Sequence, residues 1–436
     1  MAKRPRYANN LQHQTCNIEP STFNIKPSTF NIKPSTFNIK PSTFNIKPST
    51  FNRRTMLKDY QIIDADGHVN EPIDMWEKYL EPAFKSHAPY RYQPSQKDGV
   101  VKIDIFSPPT KYMRVEGETI YNKISDAVWA EGIKVAIRNK ATYNRNLGSG
   151  PDSQVKAMKR MGVDISFLYP TMGLWMLAID TMDPSLAAAL TRAYNNWLRD
   201  FCSYDPQLLK GVGAISLHDP SNMVSELHRI AEFGWKAVFV RPNPVKGRLL
   251  SDPAYEQFWT ECESLGIAVG IHEGSHSRLP TTGADRFNTR FAMHACSHPM
   301  EHMMAMLALI EGGVLERHPN LRVAFLESGC GWLPYWLWRL DEEYDQLAWE
   351  VKDHVKMKPS EYFRRQCFIA IEPDEPYLAD IIKYIGSDNL IFGSDYPHID
   401  HNPKIIEEVV ALQDQLSEKI VQKILWDNPM RFYGLG

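Results

Sequence analysis

Tyr60-Gln-Ile-Ile-Asp-Ala-Asp-Gly-His-Val69 is a short apolar run that ends in two acids, a glycine and a histidine. Alone, such a run reads equally as a buried strand or as a piece of buried helix. Recurrence decides between them. Runs of the same grammar, apolar or β-branched and closing on polar residues, return at 163–171, 208–218, 235–243, 267–274, 321–329, 367–372 and 389–398. Longer amphipathic stretches separate them, among them 153–161, 184–204, 220–233, 252–265, 299–318 and 333–350. The pairs Asp183-Pro184, Asp219-Pro220 and Asp252-Pro253 each place a capping acceptor before a first-turn proline, and so predict three helix starts. Apolar strands alternating with helices make a parallel sheet covered on both faces. Eight such units predict an α/β chain folded as a closed (β/α)8 (TIM) barrel. The rival, an open doubly wound sheet, wants a glycine-rich phosphate turn after its first strand, and Asp66-Gly-His-Val69 is not one.

Outward from that core lie two departures. An insertion at 74–150 interrupts the chain between the first strand and the first helix, with strand-like runs at 100–106 and 112–120. A connection that long is a functional loop or a small subdomain. Hanging from the C-terminal face of the barrel, it is expected to be a lid or a dimer arm. Upstream, Pro20 opens the unit Pro-Ser-Thr-Phe-Asn-Ile-Lys, which occurs four times before a fifth copy stops at Asn52. A proline in each unit excludes a coiled coil. One Phe and one Ile per unit bury too little to offset the entropy of ordering the chain. Residues 1–55 are therefore expected to be a disordered low-complexity tail, and 56–436 the barrel. Met56-Leu-Lys-Asp-Tyr60 reads as a natural start, which makes the repeat either a non-native segment joined on upstream or a true interaction tail. Arg53-Arg54 mimics an export signal, but Asp59, Gln61 and Asp64 break the apolar stretch that such a signal needs.

Composition narrows the partners. Among 436 residues, 49 are basic and 52 acidic, a net charge of −3, so no basic excess exists to neutralise nucleic-acid phosphates. No stretch approaches the ~18 uninterrupted apolar residues of a membrane span. The cysteines Cys16, Cys202, Cys262, Cys296, Cys330 and Cys367 are scattered, without finger or redox spacing, which fits a reducing, cytoplasmic location. A small-molecule substrate is the expected partner.

Barrel chemistry sits at the C-terminal ends of the strands. There the first strand supplies Asp66 and His68, which alternation turns to one face, with Asp64 competing for it. The fifth supplies His272, and the eighth Gly393-Ser-Asp-Tyr-Pro-His398. Two histidines and two aspartates from three strands suit a metal held by three or four ligands with a position left open. Glu327 ends the sixth strand as a general base, a further ligand, or the ion-pair partner of Arg322 or Arg339. His294 and His298, at i and i+4, share a face if helical and then reach toward substrate; otherwise they lie in a polar loop from which Pro299 starts a helix. Arg241 ends the fourth strand and suits bidentate capture of a carboxylate, against a buried ion pair. His276 and His398 complete the substrate-binding candidates.

These strand-end motifs, with the segments Gly312–Glu327 and Asp427–Gly434, resemble the amidohydrolase-2 family over about residues 60–434. The similarity is to the branch of aminocarboxymuconate semialdehyde decarboxylase and γ-resorcylate decarboxylase. It implies the ligands Asp66, His68, His272 and Asp395 around one divalent metal. Asp66 replaces the first histidine of the family's His-x-His and hardens the site, so manganese or iron stand beside zinc, the first expectation. A second ion is left open. The decarboxylases of the branch carry a histidine in the glycine-rich turn after strand six, where this chain has Glu327-Ser-Gly-Cys-Gly331. That departure places hydrolysis by a metal-activated water first: an amide, ester, thioester or activated C–C bond of a small carboxylated or cyclic compound. Cofactor-independent decarboxylation of an aromatic or dienoic acid comes second, and a non-catalytic binding barrel third. Asp395, Glu327 and His298 would move the proton, while Arg241, His294, His398 and His276 would hold substrate. The long insertion and the tryptophans predict a homodimer.

Overall fold

The computed structural model describes residues 60–72, 74–88, 91–94, 101–104, 150–171, 173–174, 177–274, 280–287, 289–398 and 401–436. The expected tail at 1–55 lies outside them, as does most of the insertion. Strand β1 spans Ile63–His68. Within the insertion, β2 (Arg91–Pro94) and β3 (Val101–Asp104) pair as an antiparallel ribbon. The remaining strands are β4 (Ile165–Tyr169), β5 (Leu209–Ala214), β6 (Ala237–Val240), β7 (Ala268–His272), β8 (Val323–Leu326), β9 (Cys367–Ile371) and β10 (Leu390–Phe392). They stand with β1 in one eight-stranded sheet, in the order β1-β4-β5-β6-β7-β8-β9-β10, with parallel pairing throughout.

Two backbone hydrogen bonds draw the ends of this sheet together. His68 N–H donates to Tyr396 O at 2.7 Å, and Asp395 N–H donates to Asp66 O at 2.9 Å. Both fall at the C-terminal rim. The seam needs glycine: a Cβ on Gly393 would lie 2.3 Å from Asp66 Cβ, and one on Gly67 2.5 Å from Ser166 Oγ. Asp64 braces the same seam. Its carboxylate accepts from Ser394 N (2.8 Å), Ser394 Oγ (2.7 Å) and Ser166 Oγ (3.0 Å), tying β1 to β4 and to the exit of β10. Burial without a cationic partner pushes the Asp64 carboxyl up to about 6.

The Asp-Pro pairs cap as their chemistry predicts. Asp183 accepts from Ser185 N and Leu186 N, Asp219 from Ser221 N, and Asp252 from Ala254 N. The Pro184–Cys202 helix then buries Leu186, Leu190, Trp197 and Leu198. Such burial stabilises by roughly 1.5–3 kcal/mol per large side chain. One helix differs from its sequence reading. Instead of starting at Pro299, it runs from Arg290 to Glu311 with Pro299 inside it. Thr289 starts it, its side chain accepting from Ala292 N. Proline there forfeits one helical N–H, a cost the surrounding packing must absorb. The outcome puts His294, His298 and His302 on one helical face. No helix among the described residues is long and apolar enough to cross a membrane.

Candidate metal centre

The rim of the barrel brings Asp66, His68 and His272 together. Asp66 Oδ1 lies 3.4 Å from His272 Nε2 and 3.6 Å from His68 Nε2, and the two Nε2 atoms are 3.3 Å apart. All three side chains are buried. β1 bulges between Asp64 and Gly67, and this irregularity separates the roles of its two acids: Asp64 turns to the seam and Asp66 to the histidines. Around the trio stand Asp395, with Oδ1 3.5 Å from His68 Nε2, and Glu327, with Oε2 3.3 Å from His272 Nε2. His398 Nδ1 contacts Asp395 Oδ1, its Nε2 lies 3.0 Å from Thr171 Oγ1, and its ring lies 3.9 Å from that of His68. Side-chain donor atoms of His68, Glu327, Asp395 and His398 fall within 4.8 Å of one another, as do those of Asp66, His68 and His272.

The hydrogen bonds at the back of the imidazoles show what the cluster accommodates. His68 Nδ1 lies 2.9 Å from Pro170 O and His272 Nδ1 2.7 Å from Glu273 O. A carbonyl only accepts, so each Nδ1 carries the hydrogen. Burial and the neighbouring His398 and His272 hold His68 well below the usual histidine range, so it is neutral and its Nε2 presents a lone pair. That lone pair faces Asp66 Oδ1, a buried oxygen without a hydrogen-bond donor among the described residues. Burial lifts the Asp66 carboxyl; burial also opposes charging His272, but the Asp66 carboxylate overcomes this and raises it. The arrangement calls for positive charge at one point among three donors. A divalent cation fits there better than a lone proton, because it satisfies both nitrogens and the oxygen together.

Two ligand candidates carry unusual backbones. Glu327 has φ 52° and Asp395 φ 54°, left-handed conformations that a side chain adopts at a cost of roughly 1–3 kcal/mol. Glu327 directly follows β8 and Asp395 lies shortly beyond β10, and the carboxylate of each reaches an imidazole of the cluster. Glu327 also reaches His298, with Oε1 3.6 Å from Nε2. Burial alone would raise the Glu327 carboxyl, but His298, His272 and His398 hold it well below the usual carboxylate range. Beyond it, Glu375 accepts from Cys330 N and Gly331 N, pinning the turn that follows Glu327. Sequence reasoning passed over Glu375; nothing in its spacing marks it.

The remaining candidates fall into place unequally. Arg241 is buried and donates to Glu273 Oε1 at 2.9 Å, to Asn243 Oδ1, and to the carbonyls of Leu174 and Gly274. This guanidinium holds the ends of β6 and β7 in a buried ion pair, the alternative that the sequence set against carboxylate capture. Glu273, which it binds, is pushed up by burial to about 7. His298 is buried beside Glu327 and His294 is exposed one turn before it. His276 lies outside the described residues.

Comparison with known proteins gives this geometry its context. The chain is 27% identical over 289 residues to the 2-amino-3-carboxymuconate-6-semialdehyde decarboxylase of Dictyostelium discoideum, covering 65% of this chain and 77% of that protein. It is 25% identical over 308 residues to the γ-resorcylate decarboxylase of a Polaromonas species, covering 65% and 87%. The crystal structure of dihydroxybenzoic acid decarboxylase from Polaromonas, with bound manganese and the inhibitor 2-nitroresorcinol, superposes with a TM-score of 0.59 at 18% identity over 86% of this chain and 97% of that one, a likeness of fold. An amidohydrolase family model matches residues 63–435. From that match, and from the barrel whose rim gathers the donors, the chain belongs to the amidohydrolase family of enzymes, in the neighbourhood of its decarboxylases.

Proposed function

We propose that this enzyme is a metal-dependent, non-oxidative decarboxylase of an aromatic or dienoic carboxylic acid. The observation that carries the reading is the contact of His298 with Glu327, and of Glu327 with His272, beside the Asp66–His68–His272 cluster, which we read as a proton donor set against a metal site. Decarboxylation needs those two elements and no redox cofactor. Hydrolysis, the first expectation from the sequence, gives way because the relatives with a stated activity are carboxy-lyases.

Asp66, His68, His272 and Asp395 would hold the ion. When bound, a divalent metal supplies electrostatic polarisation of the substrate's oxygens. Two carboxylates and two imidazoles without a thiolate form a donor set hard enough for manganese, which we place ahead of zinc. Asp395 would be held in place by His398, itself anchored on Thr171. The His298–Glu327 pair would hold one proton between an imidazole and a carboxylate. It gives that proton to the carbon that loses carbon dioxide, as the C–C bond leaves its electron pair there. A homodimer is the assembly we expect; exposed Tyr335 (59%) and Trp338 (48%) on the Leu333–Val351 helix support it.

The test is carbon dioxide release from a panel of hydroxybenzoates and dienoic acids by the manganese-loaded enzyme, with a chelated sample as control. Metal-dependent release from one of them is expected. Silence across that panel, with metal-dependent turnover of esters or amides, would overturn the reading.

A further inference from the structure

Two left-handed residues fall close together where the chain leaves β8: Glu327 with φ 52° and Gly329 with φ 61°. A residue with a side chain keeps such a backbone only where its surroundings over-determine it. Here a carboxylate from a different loop does so. Glu375, beyond β9, places Oε1 2.8 Å from Cys330 N and 2.6 Å from Gly331 N, with Oε2 3.0 Å from Cys330 N. Oε2 also accepts from Glu372 N at 3.1 Å and from Cys330 Sγ at 3.2 Å. One side chain thereby closes its own loop and joins the exit of β9 to the exit of β8. Consecutive N–H groups turned to one point make an anion cradle, and their bonds to a carboxylate are of the strong, charge-assisted kind. The fit has no slack, since a Cβ on Gly329 would lie 2.7 Å from Glu375 Oε1. At the other end of Glu327, Oε1 lies 3.6 Å from His298 Nε2 and Oε2 3.3 Å from His272 Nε2. The imidazoles meet the tip of the side chain, and Glu375 grips the turn that carries its backbone.

We propose that Glu375 is a positioning residue for Glu327: seated in the cradle of Cys330 and Gly331, its carboxylate fixes the turn and so holds Glu327 between His298 and His272. The inference rests on the decarboxylase reading for what Glu327 does, and on the cradle for how it is held. Without the clamp, the turn is free to relax toward ordinary backbone angles. Such a change of φ at Glu327 redirects its Cα–Cβ bond and carries the carboxylate off the two imidazoles. Glu375 acts through Glu327, one residue removed from the reacting atoms.

The test uses the full chain loaded with manganese and two variants. Glu375→Ala removes the carboxylate, and Glu375→Asp keeps it but one methylene short of the cradle, so the second decides if the first fails to fold. In crystal structures of both, Glu327 is expected to leave its left-handed φ and its Oε1 to leave His298. Formate soaked into Glu375→Ala should sit on the N–H groups of Cys330 and Gly331 and bring Glu327 back. With a decarboxylated substrate in hand, kcat should fall on the order of ten- to a hundredfold with KM little changed, and recover with formate. The same change made on Glu327→Gln should cost nothing further. A stitch that only stabilised the loops would lower the urea midpoint without that split or that rescue. Glu327 unmoved in the variants, or moved with kcat unchanged, overturns the proposal. Glu327 displaced and restored by formate beside a silent carboxylate panel keeps the clamp and removes the decarboxylase.

Discussion

Glu327 is the residue on which the chemistry of this site turns. It directly follows β8, and it sits in a left-handed backbone that costs about 1–3 kcal/mol. A strained residue that also contacts His272 and His298 is held for its side chain. Those two contacts separate its possible duties. As one half of the proton-holding pair, it matters through its charge; as a ligand, it matters through an oxygen. Glu327→Gln keeps the size and one oxygen but discards the charge. Decarboxylation by this variant is expected to fall about a hundredfold or more, in the range of general acid–base contributions, while bound metal stays near one equivalent. Elemental analysis beside the kinetics checks it, since lost metal would make Glu327 a ligand instead.

At the scale of elements, the site depends on a seam. β1 and the exit of β10 approach closely because Gly393 has no side chain, and an added Cβ would sit 2.3 Å from that of Asp66. Gly393→Ala is expected to push Asp66 off the histidines, costing roughly 1–3 kcal/mol of stability as overpacking does, and to weaken metal retention more than urea resistance. Denaturant midpoints and metal titration of the same sample would separate the two effects. Elements were also where the sequence spoke most clearly. Apolar strands, Asp-Pro caps and the histidine and aspartates at strand ends are local signals, and local signals survive without coordinates. What stayed hidden was relational. The bulge that divides Asp64 from Asp66 depends on pairing with β4. The Arg241–Glu273 ion pair joins two strand ends that no spacing rule connects. The helix through Pro299 overrides a local breaking signal because Thr289 caps it and its face packs on the barrel.

For the molecule as a whole, buried imidazoles set the acid limit. Burial pushes His218 down to about 4 and His302 to about 3, from an ordinary value of 6.5. The unfolded chain therefore binds protons at these histidines before the folded one does. Their contribution is fully present above about pH 6.5 and is lost as pH falls toward 4, at a cost on the order of 3 kcal/mol for His218. His218 Nε2 lies 2.7 Å from Ile179 O, a contact that a glutamine amide can keep. His218→Gln should flatten the decline of stability between pH 6.5 and 4, read from urea midpoints at several pH values.

A metal held by these residues would act on the same balance from the other side. Folding collects His68, His272 and Asp66 Oδ1 within 3.3–3.6 Å of one another, so that positive charge placed among them is favoured. The unfolded chain scatters these donors and binds the ion far more weakly. Binding free energy is then folding free energy, about 2.7 kcal/mol when free metal exceeds its dissociation constant a hundredfold. The melting temperature should accordingly climb with the logarithm of manganese concentration and drop after chelation, and the dependence should shrink in Asp66→Asn. A melting temperature indifferent to metal in the unmodified enzyme would mean that something other than an ion balances these charges, and the donor set would lose its assignment together with the chemistry built on it.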